Sequence, residues 1–176
     1  MNYLRLSDRI HIIEDFLSLE ECKQFIGIGE ETGYEIAHVD EKVKIEVRNN
    51  DRVFYESSVL SESLFSRLRP CLPPKVGYRT VCGLNERFRL YRYRAGHRFR
   101  GHQDGSFIRS ATEASYFTCL LYLNEDFEGG QTTFIDQVIQ PKTGMALIFW
   151  HKLWHEGQEV TSGEKHVLRT DVMYRD

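Results

Sequence analysis

The chain has 176 residues, 41% hydrophobic and 28% charged, with a formal net charge of −3 and a pI near 6.2. That balance belongs to an ordinary globular protein long enough to bury a sizeable core. It gives no reason to expect a nucleic-acid partner, and no run approaches the roughly 18 apolar residues of a membrane helix.

The N-terminal "MNYLRLSDRIHIIEDF" has neither an uninterrupted apolar stretch nor a small-residue cleavage site, so no signal peptide is expected. Residues 18–33 are expected to form a helix. Ser18 and Glu21 make an S-x-x-E capping box, Leu19, Cys22, Phe25, Ile26 and Gly29 share one helical face, and Gly33 supplies the stop. "KVKIEVR" (42–48) alternates as a strand does. "RNNDRVFYE" (48–56) reads as a polar turn or a substrate-side loop, with Arg48 and Arg52 available for an acidic group. A second helix is expected over 58–69, ended by Pro70, followed by a loop in "PCLPPKVG" (70–77).

From residue 85 the pattern changes to eight short strand candidates: 86–94, 98–103, 115–123, 131–135, 137–140, 144–150, 154–160 and 165–174. Strands at this spacing, separated by Gly- and Pro-bearing turns, imply a mainly β (α+β) protein. Eight of them in so short a span suit a jelly roll of the cupin-like type, a double-stranded β-helix, with the N-terminal helices packed on one face. The expectation is a single domain, 1–176, in which 1–80 support a core at 85–176. The four cysteines (Cys22, Cys71, Cys82 and Cys119) are widely spaced and suggest reduced thiols in a cytoplasmic protein. The arginine-rich stretch from Arg87 to Arg100 is either a solvated strand face or a basic rim beside a site that handles an anion.

Two His-x-Asp pairs stand out, His38 with Asp40 and His102 with Asp104. Such pairs arise by chance in a chain with seven His and 26 acidic residues. Residues i and i+2 of a strand point to one face, so a pair can offer two ligands to one ion. His102 and Asp104 close the second candidate strand. His155 lies on the seventh, which in a jelly roll can run beside the second. Two His and one carboxylate form the facial triad of non-haem Fe(II) oxygenases, which leaves open coordination positions. His151 competes with His155 and falls at a strand end or turn, while His38 and Asp40 read as surface loop. Fe(II) in such a site keeps a positive charge, which suits a bidentate anionic co-substrate such as 2-oxoglutarate. The far carboxylate of that molecule needs a cation, and Lys165 and Arg169 share one face of the last strand. Four strand residues span about 13 Å, so only one of them can serve.

The same residues carry a family resemblance. "YRYRAGHRFRGHQD" resembles the pattern Tyr-x-x-Gly-x-x-Phe/Tyr-x-x-His-x-Asp of the prolyl 4-hydroxylase type of iron(II)/2-oxoglutarate-dependent dioxygenases. "IIEDFLSLEECKQFI", "TCLLYLNEDFEGGQTTF", "PKTGMALIFW" and "HEGQEVTSGEK" are similar to further segments of that family, in the same order. The resemblance implies Fe2+ held by His102, Asp104 and His155. It implies 2-oxoglutarate and O2 as co-substrates and ascorbate as reductant. Lys165, ten residues after His155, stands at the family's anchor position, and Arg169 is the competitor. Tyr122 would meet the distal carboxylate and Tyr93 would lie beside the iron, with Tyr91, Thr133 and Trp150 in the pocket. The implied reaction is hydroxylation of an unactivated C–H bond in a prolyl or other residue of a protein or peptide. A free amino acid or small metabolite, nucleic-acid demethylation, zinc hydrolysis on the same triad, and a non-catalytic binding jelly roll are the rival readings. Neither nucleic acid nor membrane is an expected partner.

Overall fold

The computed structural model describes residues 1–37 and 47–176. In chain order these form β1 (Asn2–Ser7), β2 (Ile10–Glu14), α1 (Leu19–Thr32), β3 (Glu35–Ile36), β4 (Asp51–Glu56) and α2 (Ser58–Leu68). A 3-10 turn (Arg69–Cys71), β5 (Lys75–Val76), β6 (Arg79–Leu84), β7 (Arg87–Arg94), β8 (Phe99–His102) and β9 (Glu113–Tyr122) follow. The chain closes with β10 (Glu128–Gly129), β11 (Thr132–Phe134), β12 (Val138–Ile139), β13 (Ala146–Trp150), β14 (His155–Gly157), β15 (Val160–Ser162) and β16 (Glu164–Arg175).

Two antiparallel faces make the core. The major sheet runs β1-β2-β13-β9-β16-β7-β4-β3, with β6 paired to the far end of β16 and β5 paired to β6. The minor sheet runs β12-β11-β14-β8. Four of the eight expected strands (β7, β9, β13, β16) lie in the first and four (β8, β11, β12, β14) in the second, so the architecture is the expected jelly roll.

The alternation along each strand decides what faces where. On β9, Phe117, Cys119 and Leu121 point outward to a core shared with the two helices, while Tyr122 points inward between the sheets. On β16, Leu168 and Val172 point outward and Val167 inward. The helices cover the outward face with Cys22 and Phe25 of α1 and with Leu64 and Leu68 of α2. Each such side chain contributes about 1.5–3 kcal/mol of apolar burial. Both ends of α1 form as the sequence requires: Ser18 and Glu21 make the reciprocal capping box, and Gly33 takes φ 87 at the stop.

Several expectations change. The segment 51–56 is a strand, β4, pairing with β7 throughout, rather than a loop. Exposed Phe54 falls between Val53 and Tyr55 and breaks the apolar alternation that marks a strand. β1, β2 and β6 extend the major sheet without having been expected. The seventh candidate strand divides into β14 and β15, because the chain leaves the minor sheet after Gly157 to pair with β10. The second helix ends at Leu68, and Pro70 sits inside the 3-10 turn. The pair His38 and Asp40 and most of the 42–48 strand lie outside the described residues; Val47 and Arg48 form a turn and a bridge. No helix among the described residues is long and apolar enough to cross a membrane.

Candidate metal centre

β8 and β14 are neighbours in the minor sheet, and their register sets His155 directly opposite His102. Asp104 follows two residues after His102, where its backbone N–H donates to the carbonyl of His151 at 2.9 Å. The Asp104 carboxylate thereby enters between the two rings. Its Oδ1 lies 3.6 Å from His102 Nε2 and its Oδ2 lies 3.7 Å from His155 Nε2. One ligand atom from each of the three falls within 4.8 Å of the others. Both rings are oriented from behind. His102 Nδ1 lies 2.8 Å from the carbonyl of Arg100, and His155 Nδ1 lies 2.9 Å from that of Leu153. A carbonyl only accepts, so each Nδ1 carries the proton and each Nε2 offers a lone pair to the centre. Burial pushes the His155 imidazole down to about 4, which keeps it neutral. Burial alone would raise the Asp104 carboxyl, but the Arg169 guanidinium beside it holds it well below the usual carboxylate range. Two imidazoles, each with its Nε2 turned to the centre, and one carboxylate are the donor set of an Fe(II) site with open positions, so these residues fit that ion.

His151 is not part of the triad. Its ring is buried on the other side of Asp104, with Nδ1 2.9 Å from Thr118 Oγ1 and Nε2 2.8 Å from Ser115 Oγ. Thr118 in turn donates to Asp104 Oδ2. A second acid–His cluster, Glu30, Glu164 and His166, has its acids spread over the surface and paired with Arg92 and Arg94.

The two cations of β16 have different surroundings. Arg169 pairs with Asp104 at 3.1 Å and with Asp171 at 3.4 Å. Lys165 is 3% exposed and donates to the Gly130 carbonyl. Its Nζ lies 5.3 Å from the ring centres of both Tyr93 and Tyr122. Lys165 has no carboxylate partner among the described residues, and burial pushes its amine down to about 7. Gly130 holds φ 65, and a Cβ there would stand 3.2 Å from Lys165 Cδ, so the glycine lets the turn close over the lysine stem. The Tyr122 hydroxyl meets Thr132 at 2.7 Å, but Tyr122 is fully buried behind the cavity wall and only Thr132 lines it.

One cavity holds the triad, Lys165, Arg169, Tyr91 and Tyr93 together. Of the expected pocket residues, Thr133, Trp150, Arg48 and Arg52 do not line it. Thr133 points away from the cavity and accepts from Gln158, while its neighbour Thr132 lines the wall. Trp150 faces the outer core against Tyr116 and Phe117, while Phe149 lines the cavity. Both corrections are one-residue parity shifts on a strand. Arg48 is buried behind Tyr91 and Phe99, and Arg52 stands directly across from Tyr91 on β4. Phe99, stacked on His102 at 3.5 Å, and Thr118 were not expected as site residues. Counting alternate positions back from Tyr122 would have found Thr118.

Residues 88–170 match the 2OG-Fe(II) oxygenase superfamily. A protein of Acanthamoeba polyphaga mimivirus assigned as a prolyl 4-hydroxylase is 34% identical over an alignment 104 residues long, and the match covers 47% of this chain and 42% of that one. The match thus spans less than half the relative's length. Three solved structures share the fold. The viral collagen prolyl hydroxylase of Paramecium bursaria Chlorella virus-1, complexed with 2OG, is 23% identical with a TM-score of 0.67, covering 96% of this chain and 97% of that one. A Trichoplax adhaerens prolyl hydroxylase, complexed with a peptide fragment of the hypoxia inducible factor oxygen degradation domain, is 18% identical with a TM-score of 0.72, covering 94% and 84%. A Pseudomonas putida prolyl-4-hydroxylase is 18% identical with a TM-score of 0.66, covering 95% and 92%.

Proposed function

We propose that this chain, whose residues 88–170 match the 2OG-Fe(II) oxygenase superfamily, is an Fe(II)- and 2-oxoglutarate-dependent dioxygenase that hydroxylates a peptidyl residue, proline first among the candidates. The observation that carries this reading is a triad of two imidazoles and one carboxylate facing, across one cavity, a buried lysine without a counter-charge among the described residues. When bound, Fe(II) with O2 and 2-oxoglutarate supplies the chemistry, converting 2-oxoglutarate to succinate and CO2 while one oxygen atom enters a C–H bond as hydroxyl. His102, Asp104 and His155 hold the ion and leave positions open. Lys165 binds the distal carboxylate, supported by Tyr122 and Thr132. Tyr93 and Phe149 wall the co-substrate from water. Arg169 holds Asp104 charged and oriented rather than anchoring the co-substrate.

We read residues 1–176 as one catalytic unit, because β2 and β4 of the N-terminal part pair directly with β13 and β7 of the core. The four unpaired cysteines support a reducing, cytoplasmic setting, and ascorbate is the reductant the resemblance implies. The peptide substrate follows the Trichoplax structure, which holds a peptide.

Anaerobic titration with Fe(II) and 2-oxoglutarate should develop a visible charge-transfer band, and Asp104→Ala should abolish it together with succinate formation. A wild-type protein with neither band nor succinate would sink the dioxygenase reading.

A further inference from the structure

The inner face of the major sheet carries more positive charge than the triad and co-substrate use. Arg89 is matched by Asp171 at 3.1 Å, and Arg169 by Asp104 and Asp171. Arg48 is different. It is 4% exposed and enters from the segment before β4, and its guanidinium is packed 4.6 Å from the Tyr91 ring centre and 4.4 Å from that of Phe99. Its Nε donates to Asn50 at 2.7 Å, and its Nη2 has no partner among the described residues. The neighbouring Tyr91 hydroxyl and Arg169 Nε are also buried without partners. Two of these orphaned donors, on Tyr91 and Arg169, belong to residues that line one end of the cavity, and Arg48 stands directly behind the Tyr91 and Phe99 rings there, Phe99 itself lying on His102.

Leaving such donors unpaired costs free energy that an acceptor would return. A carboxylate supplies two acceptors in one plane, which suits guanidinium donors. Arg48, Arg89 and Arg169, with Arg52 beyond them, outnumber Asp104 and Asp171, so this end carries positive charge that an anion would meet. This end is not the co-substrate anchor, because Lys165 lies four residues, about 13 Å, along β16 from Arg169. Arg52, directly across from Tyr91, extends the positive wall toward solvent.

We infer that Arg48, Tyr91 and Arg169 form a subsite for a carboxylate of the substrate, so that the hydroxylated residue is flanked by an acidic side chain or by a free C-terminal carboxylate. This rests on the dioxygenase reading and adds its substrate class.

The test uses the full chain loaded with Mn(II) and 2-oxoglutarate under argon, where no turnover occurs. The probe is an array of fluorescent hexapeptides with an internal proline. Each flanking Asp or Glu is compared with its Asn or Gln twin, and each free C-terminus with its amide. Anisotropy should show acid preferred over amide by about ten-fold or more in one arm, the scale of one charge-assisted contact. Preference in the first arm assigns a side-chain acid, and preference in the second assigns a chain end. Arg48→Met should reduce the ratio to about one while 2-oxoglutarate binding persists, and Arg48→Lys, which keeps the charge but not the fork, should recover part of it. Arg52→Gln, at a half-buried position where folding is not at risk, should lower the ratio less. Equal binding of acid and amide throughout, or a preference that survives Arg48→Met, overturns the subsite. Failure of the unaltered protein to bind 2-oxoglutarate overturns the dioxygenase reading instead.

Discussion

Lys165 and Arg169 sit on one face of β16, four residues apart, and their environments are opposites. Arg169 closes onto two carboxylates, one of them a candidate metal ligand. Lys165 meets a carbonyl oxygen and the faces of aromatic rings. Even though Arg169 Nε keeps a donor without a partner among the described residues, a buried cation with its counter-charges has its charge met within the fold. A buried amine without one is costly in the folded chain alone, and that cost is recovered when an anion arrives. The pairing of each cation, more than its position, separates the group left to anchor the co-substrate from the group that holds Asp104.

The sharpest way to break this comparison is to remove Arg169. Arg169→Met leaves Asp104 and Asp171 short of a buried counter-charge, which should cost about 3–5 kcal/mol, read as a lower urea midpoint. Lys165→Met should shift the midpoint upward at pH 6. The sign follows from linkage. Burial places the folded Lys165 near 7, below its unfolded value, so the folded chain binds fewer protons between about pH 7 and the ordinary lysine range. The wild type therefore gains stability as pH rises through that window, and the advantage of Lys165→Met is greatest below it. If both substitutions destabilise equally, the two cations are not different in kind.

Ligand binding should reverse the ranking. Lys165→Met should weaken 2-oxoglutarate binding by roughly 100-fold near pH 6.5, the loss of a charge-assisted contact in a dry site. Wild-type affinity should fall as pH rises above about 7, because the amine must be protonated to meet the carboxylate, while the Lys165→Met profile stays flat. Calorimetry across pH 6–9 measures both. A wild-type profile as flat as that of the variant removes Lys165 from the anchor role.

The sequence carried the eight strands of the two faces because their apolar alternation survives in residues such as Phe117, Cys119 and Leu121. It carried the triad because a same-face pair and a later His are a spacing pattern. What it hid has physical causes. In β4, Phe54 shares a face with Arg52 and Glu56, so alternation does not mark the strand. Thr132 and Phe149 were missed by one residue each, since a strand's facing depends on a register that the ends of short runs do not fix. The contrast between Lys165 and Arg169 was illegible, because partners such as Asp104 come from elsewhere in the chain.

The same contrast reaches Asp104 from its other oxygen. Arg169 faces Oδ1, whereas Oδ2 accepts from Thr118. Thr118 spends its proton there, so His151 Nδ1 must donate to Thr118, and His151 Nε2 must accept from Ser115. The Ser115 oxygen receives the backbone N–H of Phe107 at 2.8 Å, which completes the row. Burial pushes His151 down to about 4, so the row stays neutral and its polarity is fixed. It contributes direction to the carboxylate rather than charge. Thr118→Val, nearly equal in volume, should therefore leave the urea midpoint closer to wild type than Arg169→Met does. It should weaken Mn(II) binding by about ten-fold, the lower end of what a lost outer hydrogen bond costs a metal site. Electron paramagnetic resonance titration of free Mn(II) reads this directly. An unchanged affinity would mean that Arg169 alone positions Asp104, and that His151 is a satisfied core histidine with no part in the site.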